Sequence, residues 1–378
     1  MPDILVVTTS YPTPESPAAG AFVREYVRAT APTHRSVVLH LERTTQTHRL
    51  RVERAHDEAP VVRVRFPEKP TGLSYVALLA ASAVGYRAVR SDGFRPDVIH
   101  AHFLTGAVPA VILGRLLGVP VVVSEHWSIF LPEDPATLSP VLARAARLAF
   151  KRATIVLPVS NALARGLAAH GIDARMTVVP NAVDTDAFHS PARRPIGDPA
   201  RILTVGLFYE AKGIDLLLEA AARLQEDEGT SVRFVIDIVG DGALRREYEA
   251  LADRLGIADI VTFHGLRTKP EIAQLMREAD LYVLPSRFDN NPVAVLEALV
   301  SGLPVVATAV GGVPELIEDP SMLSAPDPRA LAAAIAQALD TLSTFDRNAI
   351  AKRAAERYGM HVVGSTLARI YREALARP

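Results

Sequence analysis

A chain of 378 residues, 49% hydrophobic and 22% charged with a net charge of −1, has room for two ordinary domains and a full core in each. The near-neutral balance gives no electrostatic reason for a nucleic-acid partner. With no cysteine, disulfides, thiolate nucleophiles and cysteine-ligated metals are excluded. The opening MPDILVVTTS lacks the basic flank and long apolar run of a signal peptide, and the Ala-rich run 76–89 is too short and mixed to span a bilayer. A cytoplasmic enzyme is expected. A weak peripheral membrane contact stays open, and the oligomeric state is not legible.

In chain order, short apolar runs at 4–7, 37–41, 61–64, 98–99, 121–123, 155–157 and 178–179 alternate with helical patterns. The second half repeats this at 202–205, 234–239, 261–263, 281–284 and 305–306. Most runs are continuous Val, Ile and Leu rather than alternating. Such strands are buried on both faces, as in parallel sheets covered by helices. Two doubly wound, Rossmann-like α/β units are therefore expected. The first spans 1–190, and 191–200, rich in Pro and Arg without apolar periodicity, reads as a linker. The second spans 201–361. The first half is mildly basic and the second mildly acidic, which allows an anionic acceptor on the first without requiring one.

Ligands of open parallel sheets bind beyond the carboxyl ends of the strands, and the candidate residues fall there. Gly20 follows the first strand. His102 follows DVIHA, and Glu125 and His126 follow VVVS; His100 is expected to be buried. These histidines lack a carboxylate at metal-ligand spacing, so no metal site is read from them. A strand-end histidine can equally be structural, and Asn181 reads as a structural turn residue. In the second half, Gly206 permits close backbone approach. Lys212 sits at a helix start, where free N–H groups favour an anion; it reads as a diphosphate clamp or as a solvated lysine. Gly240 and Gly242 suit a phosphate cradle or a tight turn. Arg267 suits a base or phosphate contact or plain surface. Asp289, Asn290 and Asn291 form a polar loop before a helix opened by Pro292 and Val293. Glu297 shares a helix face with Val293 and Val300, where a carboxylate needs a partner. Ribose hydroxyls or a local donor would serve.

The stretch 280–315, with an acid at Asp289, seven residues, Glu297-Ala298 and then GLPVVATAVGG, resembles the nucleotide-sugar half of retaining glycosyltransferases of family 4. The resemblance implies the GT-B fold, with its two domains facing a cleft, and a final helix, about 362–376, crossing back onto the first domain. It implies that Lys212 meets the leaving diphosphate, that Glu297 holds the ribose, and that Asp289, Asn290, Asn291 and backbone amides near Pro292 and Val293 face the transferred sugar. It also implies that Gly206, Gly240, Gly242 and Arg267 frame the donor and that His126 faces donor and acceptor; Gly20, His102 and Glu125 are read as acceptor or loop residues. The sequence departs from the family pattern at Leu207, where an Arg is usual, at Asp289, where Glu is usual, and at Ala19. Arg287 and Arg267 are positional candidates for the missing Arg.

The reading is a retaining, metal-independent glycosyltransferase. It moves a sugar from a UDP- or GDP-sugar to a polysaccharide, lipid-linked or small-metabolite acceptor, without a covalent enzyme nucleophile and without a separate cofactor. A GT-B phosphorylase or epimerase, or a non-catalytic sugar-nucleotide-binding protein, are the alternatives. A nicotinamide dehydrogenase is disfavoured, because VVTTSYPTP after the first strand lacks the glycine fingerprint.

Overall fold

The computed structural model describes residues 1–68, 71–190, 195–226 and 232–376. The chain forms two compact units. The first comprises Met1–Leu131, Pro135–Ala182 and the C-terminal segment from Met360. The second comprises Val183–Gly359 with residues 132–134. The division at Ala182 and Val183 lies upstream of the stretch expected as a linker. Of that stretch, 191–194 fall outside the described residues, and Ala200 already opens a strand.

In the first unit the elements run β1 (Asp3–Thr8), α1 (Ala21–Thr30), β2 (Arg35–Thr44), β3 (Arg51–His56), β4 (Pro60–Pro67), α2 (Thr71–Ser91), β5 (Val98–His102), α3 (Phe103–Leu117), β6 (Val121–Glu125), α4 (Pro140–Arg152), β7 (Ile155–Pro158) and α5 (Asn161–Ala169). The strand order is β3-β4-β2-β1-β5-β6-β7, parallel except for β3 against β4. Successive residues of a strand point to opposite faces. Leu5 and Val7 enter one core with Val121 and Val123; Ile4, Val6 and Val122 enter the other. Both faces are dry, which is why these strands read as continuous apolar runs.

The strand β3 escaped sequence reading. RVERAH is almost wholly exposed at the sheet edge, and its charges suit an edge that must not pair further. The run 178–179 is not a strand. Met176 forms only an isolated bridge to Val156, and Val179 N–H donates to Pro158 O.

The second unit runs β8 (Ala200–Val205), α6 (Ile214–Glu226), β9 (Phe234–Val239), α7 (Arg245–Arg254), β10 (Val261–Gly265), α8 (Lys269–Glu278), β11 (Leu281–Leu284), α9 (Val293–Val300), β12 (Val305–Thr308), β13 (Leu323–Ser324), α10 (Pro328–Asp340) and α11 (Arg347–Tyr358). Its six parallel strands lie in the order β10-β9-β8-β11-β12-β13. Again alternate residues feed two cores: Ile202, Leu281 and Val283 one, Leu203, Tyr282 and Leu284 the other. The last helix, α12 (Met360–Leu375), packs on α1 of the first unit. A methyl group on Gly364 would fall 2.0 Å from Ala29 O, so glycine sets that approach.

Each sheet has one point where the winding reverses: β1 in the first, between β2 and β5, and β8 beside β11 in the second. In open parallel sheets the loops that leave such strands diverge and open a crevice at the carboxyl edge.

Candidate active site

In the second unit, the exits of β8 and β11 are locked together by backbone contacts. Gly213, with φ 61°, has Pro285 O where a methyl would fall 2.1 Å away. Arg287 N–H donates to Ala211 O at 2.8 Å. The Arg287 guanidinium grips both oxygens of Asp215 on α6, at 2.8 and 2.5 Å, and Glu210 O at 2.9 Å. This brace carries Lys212 to Asp289: Nζ lies 2.6 Å from Oδ2, with both side chains partly exposed. Asp289 Oδ1 also accepts from Asn290 N–H at 3.0 Å, and Asp289 O accepts from Gly312 N–H at 3.0 Å. The β12 exit is thereby tied to the same loop. Asn290 and Asn291 are buried, and α9 opens at Pro292 with no side-chain cap.

The glycines divide into two kinds. A methyl on Gly240 (φ 146°) would fall 1.8 Å from Gly206 O, and one on Gly242 2.7 Å from Phe208 O. Neighbouring backbone alone therefore requires glycine at both, whatever binds nearby. A methyl on Gly206 would meet only the Lys212 stem at 3.8 Å, so its open side is available to a ligand. Leu207 is partly buried beside it.

Tyr282, buried in β11, was not singled out from sequence, although its hydroxyl in an aliphatic run is the available signal. That hydroxyl donates to Val205 O at 3.2 Å and accepts from Val205 N–H at 3.4 Å. Burial raises its pKa, and the Glu297 and Asp289 carboxylates raise it further. Both carboxylates, one from α9 and one from the β11 loop, thus lie within electrostatic reach of that hydroxyl. Arg267 is exposed and donates to its neighbour's carbonyl, Leu266 O, at 3.3 Å; among the described residues no contact brings it to Lys212 or Asp289. Arg287, the other positional candidate for the missing Arg, is committed to Asp215.

In the first unit, β5 turns into α3 at Phe103, whose φ of 63° is a strained value for a non-glycine residue. The turn sets His102 against His126: Nδ1 and Nε2 are 3.1 Å apart, and the rings stack at 5.4 Å. The His126 ring also packs on Phe22 at 4.4 Å and Phe103 at 5.2 Å. Loss of hydration holds His126 down to about 3 and His102 well below the ordinary histidine value. Both imidazoles are therefore neutral at physiological pH. His100 is buried, between the Tyr371 hydroxyl at 2.6 Å and Ser124 Oγ at 2.8 Å, and acts in packing.

Glu125 is fully buried and turned inward. Its Oε1 accepts from the N–H groups of His126 and Trp127 at 2.8 and 2.9 Å, so it shapes the turn that presents His126. Burial pushes its carboxyl up to about 7 against those two bonds. Gly20 (φ 61°) has Ser10 O where a methyl would fall 2.2 Å away; its own loop, not a ligand, requires glycine. Asn181 is buried. Among the described residues no group of three His, Asp or Glu could hold a metal ion, and no helix is long and apolar enough to cross a membrane.

Residues 199–341 match the model of the glycosyl transferases group 1, and residues 18–182 that of the glycosyl transferase 4-like domain. The chain belongs to the group 1 glycosyltransferases. This glycosyltransferase is 31% identical over 299 residues to alpha-D-kanosaminyltransferase of Streptomyces kanamyceticus, covering 73% of this chain and 77% of that one. It is 31% identical over 309 residues to D-inositol 3-phosphate glycosyltransferase of Thermobispora bispora, covering 75% and 72%. Its fold is GT-B. It superposes on sucrose-phosphate synthase of Thermosynechococcus elongatus with a TM-score of 0.80 at 20% identity, over 100% of this chain and 99% of that one. For Anabaena HepE in complex with UDP-glucose the TM-score is 0.75 at 21% identity, over 99% and 100%.

Proposed function

We propose that this glycosyltransferase moves a sugar from a nucleoside-diphosphate sugar, UDP- or GDP-linked, to an acceptor hydroxyl with retention at the anomeric carbon. The second unit holds the donor and the first the acceptor. The observation that carries this reading is the Lys212–Asp289 pair at the joined exits of β8 and β11. A diphosphate brings more negative charge than one carboxylate, so it would draw Lys212 from Asp289. Asp289 would then be released toward the sugar, and Glu297 would meet the ribose hydroxyls.

In the transfer step the acceptor oxygen bonds to the anomeric carbon on the face the diphosphate leaves. The bond from that carbon to the diphosphate oxygen breaks, with its electron pair remaining on that oxygen, which also takes the acceptor proton. Lys212 offsets the charge that develops there. Asp289 stabilises positive charge on the sugar, and neutral His126, its ring stacked on His102, orients the reactants. No side chain is needed as a covalent nucleophile.

Calorimetry with UDP, GDP, ADP and dTDP tests the reading, with Lys212→Ala and Glu297→Ala alongside. UDP comes first because HepE, of the same fold, binds UDP-glucose. Selective binding of one diphosphate, weakened roughly tenfold or more by each substitution, supports it. Binding without transfer or hydrolysis would point instead to a sugar-nucleotide-binding protein, and phosphate-dependent sugar release to a phosphorylase.

A further inference from the structure

The first unit contains a cavity of about 590 Å³, within the ~300–1,000 Å³ range of small-molecule sites. It lies at the carboxyl edge of the sheet, beside the winding reversal at β1, and none of the site residues above lines it. Leu41, Phe66 and Leu78, all buried, form its apolar base, and Tyr75 and Trp127 add two partly exposed aromatic rings. The cavity adjoins the histidine pair: the Phe103 ring lies 6.1 Å from Trp127 and 5.2 Å from His126. Thr9 and Thr105, whose hydroxyls are 2.6 Å apart, stand at its edge with Glu42, Arg43 and Glu68.

The charges here are already matched. Glu42 Oε2 accepts from Arg65 Nε at 3.0 Å, with Arg63 Nε at 3.7 Å, and Arg43 Nε lies 3.7 Å from Glu68 Oε1. A phosphate entering the cavity would meet two carboxylates, Glu42 and Glu68, against one lining guanidinium, Arg43. A polyhydroxylated ring meets no such conflict. Its C–H face rests on the aromatic rings, and its hydroxyls donate to the carboxylates and exchange hydrogen bonds with the threonines.

We infer that this cavity is the acceptor site and that the acceptor is an unphosphorylated polyhydroxylated ring, a sugar or cyclitol. This rests on the function proposed above, and it assigns Trp127, Tyr75, Glu42 and Thr105 as the residues that set acceptor class.

Trp127 is the only tryptophan, so its emission reports directly on entry. The experiment titrates the full chain, with and without saturating UDP, using glucose, glucosamine and myo-inositol against glucose 6-phosphate and D-inositol 3-phosphate. The variants are Tyr75→Ala and Thr105→Val, with UDP calorimetry run on each. The inference stands if a neutral or amine-bearing ring perturbs Trp127 saturably, its phosphorylated counterpart binds at least tenfold more weakly, and Tyr75→Ala weakens binding about tenfold while UDP titrates as in the wild type. It falls if the phosphorylated ring binds better, or if UDP binds and no ring compound does; the proposed function survives both. It also falls if neither substitution alters ring binding. If no nucleotide binds at all, the proposed function fails first and this inference with it.

Discussion

Lys212 Nζ and Asp289 Oδ2 lie 2.6 Å apart although the residues are 77 positions apart in the chain. If a diphosphate competes with Asp289 for Lys212, the two substitutions must act oppositely on nucleotide affinity. Lys212→Ala should weaken UDP or GDP roughly tenfold or more and lower kcat by about 10²–10³. Asp289→Asn should leave nucleotide affinity unchanged or a few-fold tighter, because Lys212 is no longer held, while transfer still falls. Calorimetry and initial rates on the two variants check this; equal loss of affinity in both would remove the competition.

The leaving diphosphate's charge is assigned to Lys212 rather than to a divalent ion. Transfer should therefore persist at full rate in excess EDTA and should not rise on adding Mg²⁺ or Mn²⁺. A rate that collapses on chelation would require a metal-assisted leaving group instead.

His126 should stay neutral through the working range, since burial holds it near 3. Its ring resonances should not titrate between pH 5 and 8, and the pH–rate profile should show no inflection near the ordinary histidine value. His126→Ala should lower turnover about 10- to 100-fold with UDP affinity intact. A titration near pH 6.5 would contradict the neutral role.

The Glu125 carboxyl is raised to about 7 in the folded chain. The unfolded chain releases this proton at lower pH, so the folded state binds the extra proton between about pH 4.5 and 7. The contribution of Glu125 to stability is full below that window and is lost as pH rises through it. Glu125→Gln keeps an oxygen acceptor for the two N–H groups without the charge. Relative to the variant, the wild type should lose on the order of 2 kcal/mol between pH 5 and 8. The buried His40 and His100 and the part-buried His126 sit near 3 and act in the other direction: their contribution is present above the ordinary histidine value and lost as pH falls toward 3. Melting temperatures of both proteins from pH 4 to 8 separate the two effects.

Gly240→Ala and Gly206→Ala should differ although the two glycines pack against each other at the exits of β9 and β8. A methyl at 240 overlaps Gly206 O, so this variant should lose about 2–4 kcal/mol or fail to fold. A methyl at 206 meets only the Lys212 stem at van der Waals distance. That variant should melt like the wild type and lose donor affinity. Thermal denaturation with nucleotide titration distinguishes them.

Much of the architecture was legible because burial on both faces leaves a local mark. β1, β6 and β8 are continuous apolar runs in sequence and two-faced core strands in the fold. The β3 strand carried no such mark, since an exposed edge selects charge, and 178–179 showed that two apolar residues can fill a core position without joining a ladder. The family motif likewise lay within one contiguous stretch, so family membership could be read directly.

The sequence by itself determined two parallel α/β units, strand-end placement of the candidate residues, and membership of the glycosyltransferases. Tertiary structure decided which of those residues meet. Only the brace of Gly213, Arg287 and Asp215 carries Lys212 to Asp289. Only the approach of Ser10 and of Gly206 explains why Gly20 and Gly240 lack side chains. The cavity at Trp127 draws on β1, β2, β4, α2 and α3 together. The reason is physical: periodicity records which face of an element is dry, a local property. Contacts among loop side chains depend on how separate backbones pack, and no single stretch of sequence encodes that.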